Sequence, residues 1–93
     1  MSWVLVQQTL GSGATQISTA NTFCRQIIIQ NNAAHSMRVG DSTVTASKGI
    51  YLAAGPGGGS INSGPASPVY NSYISDFWVF GTSGDVVDVL VNE

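Results

Sequence analysis

Apolar and polar positions alternate with a two-residue period along much of this chain, in short runs ended by Gly, Ser, Asn and Asp. That period belongs to strands with one face in a core and one toward solvent. No segment keeps the spacing of an amphipathic helix. The first run is Trp3–Thr9, closed by Leu10-Gly11-Ser12-Gly13, and a weaker one follows at Ala14–Ser18. Phe23–Gln30 reads as a central strand, with Phe23, Ile27 and Ile29 on one face and Cys24, Gln26, Ile28 and Gln30 on the other. Met37 and Val39 point together, opposite Arg38. Turns at Gly40-Asp41-Ser42 and Ser47-Lys48-Gly49 flank a short run, Thr43-Val44-Thr45, and Ile50–Ala53 follows. Ile74–Phe80 is a second heavy strand. In the last run, Val87, Val89 and Val91 face one way and Val86, Asp88 and Leu90 the other. The Gly-rich link Gly81-Thr82-Ser83-Gly84 between these two predicts an antiparallel hairpin.

Between the two halves the composition changes. Residues 55–68 hold five Gly, three Ser and every Pro of the chain, which predicts a long loop or extended edge with one short strand at Ser60-Ile61-Asn62. Seven or eight strands at spacings near ten residues, with no helical crossover, predict an all-β domain spanning residues 1–93. A small antiparallel β-sandwich of jelly-roll-like form leads, and a barrel is the runner-up.

Charge narrows the range of functions. Only 9% of the residues are charged and the formal net charge is −2. Three scattered cations make no nucleic-acid groove, and the apolar runs are far too short to span a bilayer. The N-terminus has neither the basic start nor the apolar length of a signal peptide. Cys24 stands alone, which excludes an internal disulfide and a multi-cysteine metal site; it reads as a small buried hydrophobe.

Catalytic chemistry finds no foothold in the motifs. The run Gly55-Pro56-Gly57-Gly58-Gly59-Ser60 lacks the lysine and helix of a phosphate-binding loop, so its glycines read as a source of positive φ and flexibility. Asp85 and Asp88 fall on opposite faces of a strand, and Asp76 would meet Asp85 across the expected hairpin only to repel it. His35, the single histidine, follows Asn31-Asn32-Ala33-Ala34 in a loop, and there is no G-x-S-x-G elbow. The sequence therefore nominates no catalytic, cofactor-binding or metal-ligating residue and points to a non-enzyme.

Interaction is the remaining role. Residues 74–80 carry Phe77 and Val79 on one face and Trp78 and Phe80 on the other, so one face fills the core and the second awaits a cover. Trp3, Tyr73, Trp78 and Phe80 are the interface candidates. Trp3 opens a strand suited to pairing with a neighbouring edge. A small carbohydrate- or protein-binding module, with Trp78 as a sugar platform, is an alternative.

The runs Ile27-Ile28-Ile29-Gln30-Asn31-Asn32, Met37-Arg38-Val39-Gly40-Asp41-Ser42, Lys48-Gly49-Ile50-Tyr51-Leu52 and Phe77–Leu90, with a Gly/Ser-rich segment between the last two, resemble small β-rich structural proteins of tailed bacteriophages. The similarity covers residues 23–91. It implies a virion structural protein assembled in the host cytoplasm, with a capsid decoration (cement) protein first and a tail, connector or fibre component second. The partners it implies are the major capsid protein or another virion protein, together with self-association as a trimer. No cofactor, nucleic acid or membrane enters this expectation.

Overall fold

The computed structural model describes residues 3–19, 23–55, 58–63 and 72–92. These hold strands β1 (Trp3–Thr9), β2 (Ala14–Gln16), β3 (Phe23–Cys24), β4 (Gln26–Asn31), β5 (Met37–Gly40), β6 (Ile50–Leu52), β7 (Ser60–Ser63), β8 (Ser72–Tyr73), β9 (Trp78–Phe80) and β10 (Val86–Asn92). The one helical element among them is a single 3-10 turn at Ile74–Asp76.

The pairing is nested. β1 pairs with β10, β2 with β9, β3 with β8, β4 with β7 and β5 with β6, all antiparallel. The chain is thus a long two-stranded ribbon whose tip is the β5–β6 connection. Two further ladders, β10 with β4 and β9 with β5, fold the ribbon onto itself. The result is two four-stranded antiparallel sheets, in the orders β1-β10-β4-β7 and β2-β9-β5-β6, with β3-β8 as a small separate pair.

Both sheets contribute to one core. Val87, Val89 and Val91 of β10 and Ile27 and Ile29 of β4 come from the first sheet; Met37 and Val39 of β5, Leu52 of β6 and Val79 of β9 come from the second. Each of these is almost completely buried. The alternation of β10 is as the sequence predicts, since Asp88, Leu90 and Asn92 are half-buried on the opposite face. Cys24 is buried and is not part of a disulfide.

Several expectations are corrected. First, β9 and β10 form no hairpin; they lie in different sheets. Both carry an apolar face, and those faces meet across the core, while β10 gains a seven-residue ladder with β1 and a six-residue ladder with β4. Asp85 consequently does not meet Asp76 across a ladder. Second, Ile74–Asp76 is a 3-10 turn, and the strand shrinks to Trp78–Phe80. The Tyr73 N–H donates to the Asp76 carboxylate at 3.1 Å, a local bond that competes with extended backbone.

Third, Phe23–Gln30 is broken at Arg25, whose N–H donates to the Asn92 carbonyl (2.8 Å). The break shifts the phase, so Cys24 turns inward and Phe23 outward. Thr43–Thr45 is likewise not a strand but a turn followed by an isolated bridge between Thr45 and Lys48.

Fourth, the described glycines of the 55–59 run have no positive φ. They are needed for close approach instead: a Cβ on Gly55 would lie 2.6 Å from the Asn32 Cα, and one on Gly59 2.6 Å from the Ala53 nitrogen. Residues 56–57 and 64–71, which include half of the predicted Gly/Pro loop, lie outside the described residues.

Candidate interaction surface

The outer face of the first sheet is built by register. Leu5 of β1 stands opposite Leu90 of β10, which stands opposite Ile28 of β4. This places three apolar side chains in a row across the sheet. Trp3, one step along β1 on the same face, is 50% exposed and Leu5 is 65% exposed. The next row is polar: Gln7, Asp88 and Gln30 are likewise in register.

Asp88 is the only charged side chain in these rows, and amides occupy both of its oxygens. Gln7 Nε2 donates to Oδ1 and Asn32 Nδ2 to Oδ2, each at 2.7 Å. Together the two rows border a shallow hollow of about 340 Å³. The surface is flat, mixed in polarity and nearly uncharged.

On the outer face of the second sheet, Ala14, Phe80, Arg38 and Tyr51 form a row through all four strands. Trp78 lies beside it, opposite Gly40. Trp78 and Phe80 are half-buried, not fully wet. The Arg38 guanidinium sits 5.4 Å from the centre of the Tyr51 ring, and it donates to the carbonyls of Ala46 (2.9 Å) and Gly49 (3.0 Å). These bonds fix the cation over its own loop, beside a hollow of about 250 Å³ that Phe80, Ser36 and Thr82 also line.

Tyr73 belongs to neither face. It packs edge-on against Phe23, with ring centres 5.1 Å apart, on the small β3–β8 pair. The four interface candidates therefore occupy three separate places: Trp3 on the first sheet, Trp78 and Phe80 on the second, and Tyr73 on the small pair. Leu5, Leu90 and Ile28 were not nominated from the sequence. Strand alternation set Leu90 opposite Val87, Val89 and Val91, and Ile28 opposite Ile27 and Ile29, but only cross-strand register aligns them with Leu5.

The titratable groups serve the turns. His35 Nδ1 lies 2.9 Å from Asp85 Oδ2, linking the loop after β4 to the start of β10. The histidine is largely exposed. Asp41 accepts bonds from the Thr43 hydroxyl and backbone N–H, which hold its carboxyl below the usual carboxylate range. Burial, and secondarily the negative charge of Asp76, pushes the Cys24 thiol up. Among the described residues no group of three or more His, Cys, Asp or Glu side chains is placed to hold a metal ion. Comparison with protein-family models, curated proteins and solved structures returns no match for this chain.

Proposed function

We propose that this chain is a non-enzymatic structural protein of a bacteriophage virion, a capsid decoration (cement) protein that seats the outer face of its first sheet on the major capsid protein. The observation that carries the reading is the in-register row Leu5–Leu90–Ile28, flanked by the Gln7–Asp88–Gln30 row with its amide-bound carboxylate. Covering such a face removes apolar area from water and desolvates only one charge, whose two oxygens already have hydrogen-bond donors. Trp3 extends the patch at one end.

The strand order supports a finer reading of the fold. Eight strands from a nested ribbon, ordered β1-β10-β4-β7 and β2-β9-β5-β6, suit a small jelly-roll sandwich, an architecture that viral capsid and lectin domains use. Fold by itself does not set function, so the side-chain row carries the argument. A carbohydrate-binding module is the second reading, favoured by the Gln7–Asp88–Asn32 network, whose amides and carboxylate suit the hydroxyls of a neutral sugar.

The test is binding of the purified protein to undecorated phage heads, with Leu90→Lys as the variant. Leu90 faces outward, so the variant should melt near the parent temperature yet bind heads at least ~2 kcal/mol more weakly, the usual threshold for a hot-spot residue. Binding to purified tails and not to heads moves the chain to the tail. Binding to a sugar array alone transfers it to the second reading.

A further inference from the structure

We infer that β1 is the pairing edge of a two-fold dimer, in which a second copy of this chain adds its own β1 antiparallel and joins the two first sheets into one. Leu10 N–H donates to the carbonyl of Asp85 at 2.8 Å, and Gly84 N–H donates to the carbonyl of Leu10 at 2.9 Å. Gly84 has φ +94°. Two residues thus oppose Leu10, which makes a bulge with glycine in its first position and ends the β1–β10 ladder on a bonded pair.

Bonded and non-bonded pairs alternate along an antiparallel ladder. Counting back from Leu10, the residues that exchange bonds with β10 are Gln8, Val6 and Val4. The N–H and C=O groups of Trp3, Leu5, Gln7 and Thr9 therefore point to the free side of β1, which has no partner strand among the described residues.

Among the described residues this edge has none of the usual protection. It runs seven residues with unbroken register, and it contains no charge, no proline and no bulge within its length. The opposite edge of the first sheet, β7, is four residues long. In the second sheet, the edge strands β2 and β6 have three residues each. Gln8 Nε2 also bonds the carbonyl of Gln16 at the end of β2 (3.1 Å).

A second copy is the occupant this edge fits, because it is self-complementary. A two-fold axis beside Val6 sets Trp3 opposite Thr9 and Leu5 opposite Gln7 of the other chain. All four are residues whose backbone groups point outward, so every donor meets an acceptor. No like charges are brought together, which is the condition a surface must meet to bind itself. On the outer face, Leu5 of each chain comes within diagonal reach of the other, about 7 Å away, and the two apolar rows become one stripe. Such an isologous contact closes as a dimer and not as a trimer. It uses the edge of β1, and does not depend on what covers the sheet's face.

The experiment is sedimentation equilibrium of the full chain from micromolar to millimolar concentration, with Leu5→Pro beside it. Proline removes only an N–H that faces the free edge and is tolerated on edge strands, so the variant should keep the parent's β spectrum. The parent should rise from 9.7 kDa toward twice that mass, and Leu5→Pro should stay at 9.7 kDa. Gln7→Lys, which puts a charge on the edge without touching the backbone, should also stay monomeric. Register is read by mixing Leu5→Cys with Gln7→Cys chains under mild oxidation. Bonded pairs have Cα atoms about 5.5 Å apart, within disulfide reach, so the mixture should cross-link faster than either variant alone. A parent that stays monomeric at millimolar concentration, a trimer, or a dimer that Leu5→Pro and Gln7→Lys both leave intact would overturn the inference. Head binding lost through Leu90→Lys with dimerisation unchanged would affect the proposed function alone.

Discussion

The side-chain amide of Asn31 donates to the carbonyl of Leu52 at 3.2 Å, a buried bond that ties β4 of the first sheet to β6 of the second. The same nitrogen reaches the carbonyl of His35 (2.8 Å), and the amide oxygen accepts the N–H of Ala33 (2.9 Å). Asn31 is fully buried and has all three partners on the backbone. Removing it takes a partner from the buried Leu52 carbonyl and from the part-buried His35 carbonyl and Ala33 N–H. Asn31→Ala should therefore lower unfolding free energy by about 1–3 kcal/mol, as stranded buried groups do, measured by urea denaturation. Asn31→Asp should be no better, since a carboxylate cannot donate to Leu52 and His35.

Neighbouring isoleucines of β4 should respond unequally. Ile29 is fully buried between the sheets, and Ile28 is half-buried on the outer face. Ile29→Ala should cost about 2–5 kcal/mol, the range for a large aliphatic cut back in a core. Ile28→Ala should cost well under half of that. Equal losses would mean that the inward and outward faces of β4 are wrongly assigned.

The glycines of the 55–59 run should be sensitive by contact and not by φ. Gly55→Ala and Gly59→Ala each drive a Cβ into backbone atoms at 2.6 Å, where neither neighbour can rotate away. Overpacking of this kind costs about 1–3 kcal/mol. Gly11→Ala meets only the Thr15 hydroxyl oxygen, at 3.8 Å, and should be nearly neutral. Thermal melts of the three variants give the ranking.

Asp41 should titrate below an ordinary aspartate, because the hydroxyl and then the N–H of Thr43 bond its ionised form. A carboxylate with a depressed folded pKa adds stability above its unfolded pKa and loses that increment as pH falls through the folded value. Thr43→Val removes the hydroxyl and keeps the backbone bond, so the Asp41 carboxyl should move partway back toward its usual range. Carbon-detected NMR of the carboxyl resonance follows this directly.

Cys24 has its thiol raised by burial and by Asp76. The thiolate is the reactive form, so iodoacetamide should modify the folded protein slowly at neutral pH and the urea-unfolded chain at the rate of an ordinary thiol. With a raised folded pKa, stability should fall as pH climbs past the usual thiol value, where only the unfolded state ionises. Rapid labelling of the native protein would contradict the buried position.

Much of the local structure was legible in the sequence. The all-β class, the shared face of Val87, Val89 and Val91, the opposition of Arg38 to Met37 and Val39, and the short strand at residues 60–62 all follow from a two-residue period and from turn residues. These properties depend on a residue and its near neighbours. Their cause is the alternation of Cβ directions along an extended backbone, which acts before any partner strand is chosen.

Partner choice was decided only by the tertiary structure. A hairpin of the last two runs is the shortest closure the sequence offers, yet β10 lies between β1 and β4, more than fifty residues away along the chain. The two long ladders and the joint burial of Val79 with Val89 outweigh the saving of a short loop, because closure entropy grows only slowly with loop length. The same non-local pairing aligns Leu5, Leu90 and Ile28 and buries Asn31 against Leu52. Strand patterning fixes which way each of these side chains points, whereas the nested ribbon sets which of them meet.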